Sequence, residues 1–288
     1  MSSFAQHPYS GLRAGLASMH RKERAIAPPC WRHLRLTVEP VLGLDTDAFG
    51  TFTGEIARPG TARETALAKA LLAAEASGHR LGLGSEGSFG PHHALPFLAQ
   101  DVELIALHDR ETGITISESL GSLRTNYGQI EWSCDADLSA FLTRSLFPSH
   151  GLVVSPAAEA EAMPIIKGIR DPAALARAID AVRSKSGDVG VRLATDMRAH
   201  MNPTRMAVIR AAATRLARRA ATLCPSCGCP GYGETRHEPG ILCEGCEQPT
   251  PLIKWLVTGC LTCHREERRP NPKAPLRADP RYCARCNP

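Results

Sequence analysis

Four Cys-x-x-Cys pairs fall within the last 65 residues of this chain: Cys224/Cys227, Cys243/Cys246, Cys260/Cys263 and Cys283/Cys286. Two residues between cysteines let both sulfurs reach one ion, so eight thiols define two four-sulfur sites. Zinc is the expected ion at both, because it accepts four thiolates without redox chemistry. A segment too small for an apolar core is then held together by metal. A disulfide framework and an iron–sulfur cluster are the competing readings. Met1–Leu16 is polar and interrupted by proline and glycine, unlike the apolar leader of an exported, disulfide-bonded chain. The pairs also stand apart instead of falling in one ferredoxin-type run.

Sequential wiring is expected. Cys224, Cys227, Cys243 and Cys246 would take one ion and Cys260, Cys263, Cys283 and Cys286 the other, closing loops of 15 and 19 residues between knuckles. Cross-braced wiring, first knuckle with third and second with fourth, is the alternative. Cys229, His237 and His264 read as bystanders, and Cys30 and Cys134 as buried, inert thiols. Four thiolates leave no open coordination position, so the tail is structural and not catalytic.

The 288 residues suffice for one α/β domain, 1–219, and a small tandem zinc-ribbon module, 220–288. No stretch approaches the ~20 apolar residues of a membrane span, and the alanine- and arginine-rich composition suits a bacterial cytoplasmic protein. Residues 1–214 carry 22 basic and 22 acidic side chains, whereas 215–288 carry 12 and 7, so the net charge of +5 resides at the C-terminal end. Such a surplus steers polyanions. One reading of the whole chain is therefore a non-catalytic zinc-binding protein that contacts nucleic acid or a protein partner through its basic ribbons.

The body alternates strand-like and helical runs, the pattern of a mixed sheet with flanking helices. Strands are expected at Gly15–Ser18, Leu34–Val41, Arg80–Ser85, Leu152–Ser155 and Val191–Thr195, with a hairpin of Val102–His108 and Gly113–Glu118. Helices are expected near Arg21–Ala27, stopped by Pro28-Pro29, and at Ala62–Ala76, Ala136–Ser145 and Pro172–Ser184. Leu67, Ala70, Leu71 and Ala74 form the apolar stripe of the second. The last body helix opens at Asn202-Pro203, a preferred cap followed by a preferred first residue. Arg80–Ser85 runs into the glycine-rich Gly84–Gly90, whose Gly84, Gly87 and Gly90 suit tight turns.

Chemistry-bearing residues gather at strand ends and helix starts, where α/β sheets bind ligands and helix N-termini favour anions. Lys22, Arg198 and Arg205 supply positive charge; Glu64 and Glu86 are the candidate ligands of a divalent cation. Together they suit a magnesium-bound phosphate ester. Glu64 has a second reading, since Thr61-Ala-Arg-Glu64 is also a capping box.

Over nearly its whole length the chain resembles a bacterial family called domain of unknown function 6671. The resemblance is carried by Phe49-Gly-Thr-Phe-Thr-Gly-Glu55, Gly84-Ser-Glu-Gly-Ser-Phe-Gly-Pro91, Thr195 to Met206 and Cys224-Pro-Ser-Cys-Gly228. Residues 12–218 more distantly resemble the inosine/xanthosine triphosphate pyrophosphatase-like and Maf-like hydrolases. Ser18-Met-His20-Arg-Lys22 stands where those have a Thr-x-Asn-x-x-Lys phosphate loop, and Glu64-Thr-Ala-Leu-Ala-Lys69-Ala matches their acidic helix start. Gly84-Ser-Glu86-Gly matches an acidic strand end, and His200 to Arg205 a Ser-His-Arg segment. His20 replaces the asparagine, Lys22 is displaced by one position, and Thr65 follows the glutamate where those enzymes have Asn. This resemblance implies a pyrophosphatase-like fold and Mg2+-dependent hydrolysis of a nucleoside triphosphate. Glu64, Glu86 and Lys69 would be catalytic, Ser18, His20, Lys22, Arg198, His200 and Arg205 would bind the nucleotide, and Asp47 or Glu55 would be a third carboxylate.

Overall fold

The computed structural model describes residues 7–44, 60–92, 94–132, 137–158, 164–186 and 190–288. The chain divides into two compact units, Met1–Ala217 and Arg218–Pro288. The first is α/β. Strand β1 (Arg13–Ala17), helix α1 (Glu23–Leu34), β2 (Thr37–Pro40), α2 (Ala62–Ser77), β3 (Leu81–Pro91), β4 (Ala99–Asp109) and β5 (Thr115–Ser122) follow in turn. Their strands form a mixed sheet in the order β2-β1-β3-β4-β5. β1 is parallel to both neighbours, and β3, β4 and β5 form an antiparallel meander. A second, antiparallel sheet has the order β6-β9-β7-β8, from β6 (Gln129–Trp132), β7 (Leu152–Pro156), β8 (Ile166–Ile169) and β9 (Val191–Thr195). Helices α3 (Ser139–Arg144) and α4 (Pro172–Ser186) belong to it, with a core that includes Phe141, Leu152, Val154, Ile179, Val182 and Leu193. Helix α5 (Pro203–Ala221) follows β9.

Three expectations are corrected, each for a local physical reason. Helix α1 does not stop at Pro28-Pro29 but runs through both to Leu34. Pro28 has no N–H for the Arg24 carbonyl one turn earlier; Arg210 Nη2 donates to that carbonyl instead, at 3.2 Å. In α2 the buried stripe is Ala66, Lys69, Ala70, Ala73 and Ala74, while Leu71 is exposed. Small residues are required because the helix backbone lies directly on the sheet. A Cβ at Gly82 would sit 2.0 Å from the Ala70 carbonyl oxygen, and one at Gly84 1.9 Å from that of Ala66. The third correction is that Gly84, Gly87 and Gly90 do not serve tight turns. They lie inside β3, an 11-residue strand.

Because successive residues of a strand face opposite sides, β3 divides its side chains. Gly84 and Glu86 face α2. Ser85, Gly87 and Phe89 face the other side, together with Glu103 and Asp101, which pair with Gly87 and Phe89 across the ladder. Gly87 serves that side: a Cβ there would meet Arg205 Nη2 at 2.5 Å and Glu103 Oε1 at 2.6 Å.

The second unit contains one antiparallel sheet, β10-β11-β12, from β10 (Gly233–Pro239), β11 (Ile253–Gly259) and β12 (Glu266–Pro270). Among the described residues of the whole chain, no helix is long and apolar enough to cross a membrane.

Candidate functional site

In the first unit, charged side chains from four segments are buried together. Lys22, at the start of α1, donates to the Ser85 carbonyl at 3.3 Å and the Ser85 hydroxyl at 3.2 Å. Arg205, in the first turn of α5, is fully buried and bonds Glu103 at 2.6 Å. It also donates to the Met197 carbonyl, and its guanidinium lies 5.0 Å from the centre of the Phe89 ring, which stacks on Tyr127. Asn202 caps α5 by accepting from the Arg205 amide at 2.9 Å, and its amide group bonds Asn126. Around this core, Asp196 holds Arg198 through both carboxylate oxygens, and the rings of His20 and His200 stack 5.3 Å apart.

Asp101 is the outlier. It has no exposed surface, and neither carboxylate oxygen has a hydrogen-bond partner; Glu103 Oε2 lacks one as well. Burial, then the neighbouring Glu103 charge, pushes the Asp101 carboxyl up to about 7, against the opposing pull of Arg205 and Lys22. Burial and the nearby Arg205 bring Lys22 down to about 8. Burial, followed by Lys22, His200, Arg205 and Arg198, depresses His20 to about 3.

These shifts have opposite consequences for stability. Between the ordinary aspartate value of 3.8 and about 7 the folded state holds a proton on Asp101 that the unfolded state releases. The contribution of Asp101 therefore falls as pH rises through that window. His20 works the other way: the unfolded chain gains a proton below 6.5, so stability is lost as pH falls toward 3. Asp101→Asn is expected to stabilise the first unit, by an amount that grows from pH 5 to pH 8 and reaches the order of a few kcal/mol. Calorimetry across that range, without added divalent cation, measures it; a pH-independent difference would refute the assignment.

Of the residues singled out in the sequence, Lys22, Arg198, His200 and Arg205 all come within electrostatic reach of His20. Ser18 accepts from the His20 amide at 3.4 Å. Lys69 and Glu86 meet in a buried ion pair of 2.7 Å, on the α2 side of the sheet. Glu64 does not join them. Its Oε2 accepts from the Thr61 amide at 2.8 Å and the Thr61 hydroxyl at 2.9 Å on the exposed end of α2, and these bonds hold its carboxyl below the usual range. The capping-box reading of Glu64 describes what is there. Asp47, Glu55 and Cys134 lie outside the described residues. Cys30 is buried, which pushes its thiol up to about 12. The sequence reading does not include Asp101 and Glu103, although two acidic residues at i and i+2 of a strand lie on one face.

In the second unit the eight cysteines form two tetrads, Cys224, Cys227, Cys260 and Cys263, and Cys243, Cys246, Cys283 and Cys286, which could hold metal ions. Within each, ligand atoms lie within 4.8 Å of one another. The sulfurs of Cys224 and Cys263 are 3.7 Å apart, of Cys227 and Cys260 3.6 Å, of Cys243 and Cys286 3.9 Å, and of Cys246 and Cys283 3.5 Å. A tetrahedron of metal–sulfur bonds about 2.3 Å long has edges of about 3.8 Å. The expected sequential wiring is thus replaced by a cross-brace. The reason is topological: β10 carries the chain from one end of the sheet to the other, β11 brings it back and β12 returns it, so alternate knuckles share an end. Loop closure counted those intervals as coil, whereas each contains a strand.

Gly228, Glu247 and His264, each next after the second cysteine of a knuckle, have positive φ. His264 is thereby a turn residue, and His237 bonds Glu234; neither belongs to a tetrad. The arginines of the sheet are ion-paired: Arg236 with Glu238 and Glu266, Arg265 with Glu267, Arg268 with Glu238 and Arg269 with Glu234.

Fold and site together define an α/β protein with a buried charge cluster in one unit and cross-braced cysteine tetrads in the other. The chain belongs to the family described as Domain of unknown function (DUF6671), which matches residues 69–288. That span includes β3, β4, α5 and both tetrads. No curated protein and no solved structure matches the chain.

Proposed function

We propose that the first unit is a divalent-metal-dependent hydrolase that cleaves a phosphoanhydride bond of a nucleotide, on a pyrophosphatase-like fold, and that two zinc ions hold the second unit together. The observation that carries the hydrolase reading is the convergence of Lys22, Arg198, His200 and Arg205 on His20, with Lys22 and Arg205 also acting on a fully buried Asp101 whose oxygens are unbonded. Cations in a water-poor site stabilise the charge that develops on phosphate oxygens as the bond breaks. The three unbonded oxygens of Asp101 and Glu103 suit a hard cation such as Mg2+, which takes carboxylate and phosphate oxygens and would polarise the phosphate. These two residues replace Glu64 as the carboxylates of the site, while the Lys69–Glu86 pair braces α2 against β3. Zinc follows from the donor set, since four thiolates at tetrahedral spacing match a closed structural site. The ion pairs along β10, β11 and β12 offset the basic surplus of the second unit, so nothing there favours nucleic-acid contact over a structural role.

Metal-replete protein incubated with a panel of nucleoside triphosphates and Mg2+ is expected to release pyrophosphate from at least one. Asp101→Asn and Lys22→Met should each lower kcat/KM by at least about 100-fold. Absence of release from every nucleotide, with the protein folded, would sink the reading.

A further inference from the structure

Beside the buried cluster the first unit has a cleft of about 460 Å3. Arg21, Arg24, Arg210 and His200 line it, with Ala199 and Met206 as part of an apolar wall. Arg21 stands just ahead of α1 and Arg24 in its first turn, while Met206 and Arg210 share one face of α5. The starts of two helices therefore border one space. Arg13, Arg80, Arg192 and Arg198 are each held by a carboxylate, but among the described residues Arg21 and Arg24 have no ion-pair partner. Arg21 is fixed at a φ of 56°, in the left-handed region that a side chain seldom adopts. Arg210 is anchored by its bond to the Arg24 carbonyl, which leaves further donors of its guanidinium for a ligand.

We infer that this cleft binds the oligophosphate tail of a nucleoside di- or triphosphate, an assignment that rests on the phosphoanhydride reading above. Three like charges lining one cleft repel, and a monoanion leaves most of that repulsion in place. A chain of linked phosphates offsets it while offering each guanidinium a bidentate partner. The volume lies in the range of small-molecule sites, about 300–1,000 Å3, and not in that of a groove for a duplex. His200 joins cleft to cluster, since it lines the one and stacks on His20 in the other.

Calorimetric titration of the full, metal-loaded chain with inorganic tripolyphosphate is expected to give one saturable site that weakens as salt is raised. Arg21→Gly with Arg24→Gln should weaken it at least about tenfold; glycine accepts the positive φ, so the double variant keeps its fold. Arg177→Gln on α4 should change nothing. Failure of tripolyphosphate to bind, or unchanged binding by the double variant, overturns the proposal. So does orthophosphate binding as tightly as tripolyphosphate, or equal displacement by a single-stranded oligonucleotide. Binding as expected without hydrolysis of any nucleotide leaves the cleft standing and removes the hydrolase reading. Hydrolysis with an unchanged KM in the double variant does the reverse.

Discussion

Stripping the metal from the cysteine tetrads is expected to unfold residues 218–288 as one unit, with two ions released and eight thiols exposed together. Residues 218–288 have almost no apolar core: apart from cysteines, the buried apolar side chains are Ala220, Pro230, Ile241, Val257 and Ala278. Structural zinc in comparably small units supplies about 10–16 kcal/mol, far more than such burial provides. The cross-brace makes the loss cooperative. β11 ends at Gly259, next to Cys260, and its other end lies beside the second tetrad, so a defect at either tetrad removes the ladder that positions the other. Cys260→Ser is therefore expected to lower the metal content from two ions per chain to well under one. Sequential wiring predicts a different result, with a full ion retained by Cys224, Cys227, Cys243 and Cys246. Elemental analysis of the purified variant, with a thiol titration alongside, separates the two outcomes.

The signals legible in the sequence were those encoded by local spacing. Cys-x-x-Cys pairs, the Asn202-Pro203 start of α5 and the Thr61–Glu64 capping box are each written in four residues or fewer, and each appears in the structure. Partner choice was not local. Which knuckles share a tetrad depends on where strands carry the chain, and which carboxylates face Lys22 depends on the register of β3 against β4. Glu86 illustrates the second point. It lies next to Ser85, a partner of Lys22, yet strand alternation turns it to the opposite face, toward Lys69. Asp101 and Glu103 belong to the hairpin that the sequence predicts, but a strand beginning at Val102 excludes Asp101, which β4 includes. Pro28-Pro29 misled for the same reason: the group that rescues the Arg24 carbonyl comes from Arg210, 186 positions away.

Gly84→Val is expected to collapse the first unit while leaving the metal content of the second intact. The added Cβ would fall 1.9 Å from the Ala66 carbonyl oxygen and 2.6 Å from the Ala70 amide nitrogen, and both are helix backbone atoms that no rotamer change can move. Helix α2 must lift from the sheet. Lifting separates Lys69 from Glu86, a pair almost wholly buried, and breaking such a pair costs about 3–5 kcal/mol in addition to the overpacking. That sum is comparable to the whole stability of an ordinary domain. Gly90→Val is the matched comparison, in the same strand but with nothing within 4 Å of its added Cβ, and it should shift stability by only about 0.5 kcal/mol. Circular dichroism melts and zinc analysis of the two variants decide the matter. If Gly84→Val melted like the parent, α2 could not rest on β3 through backbone contact, and the burial of Lys69 against Glu86 would lose its cause.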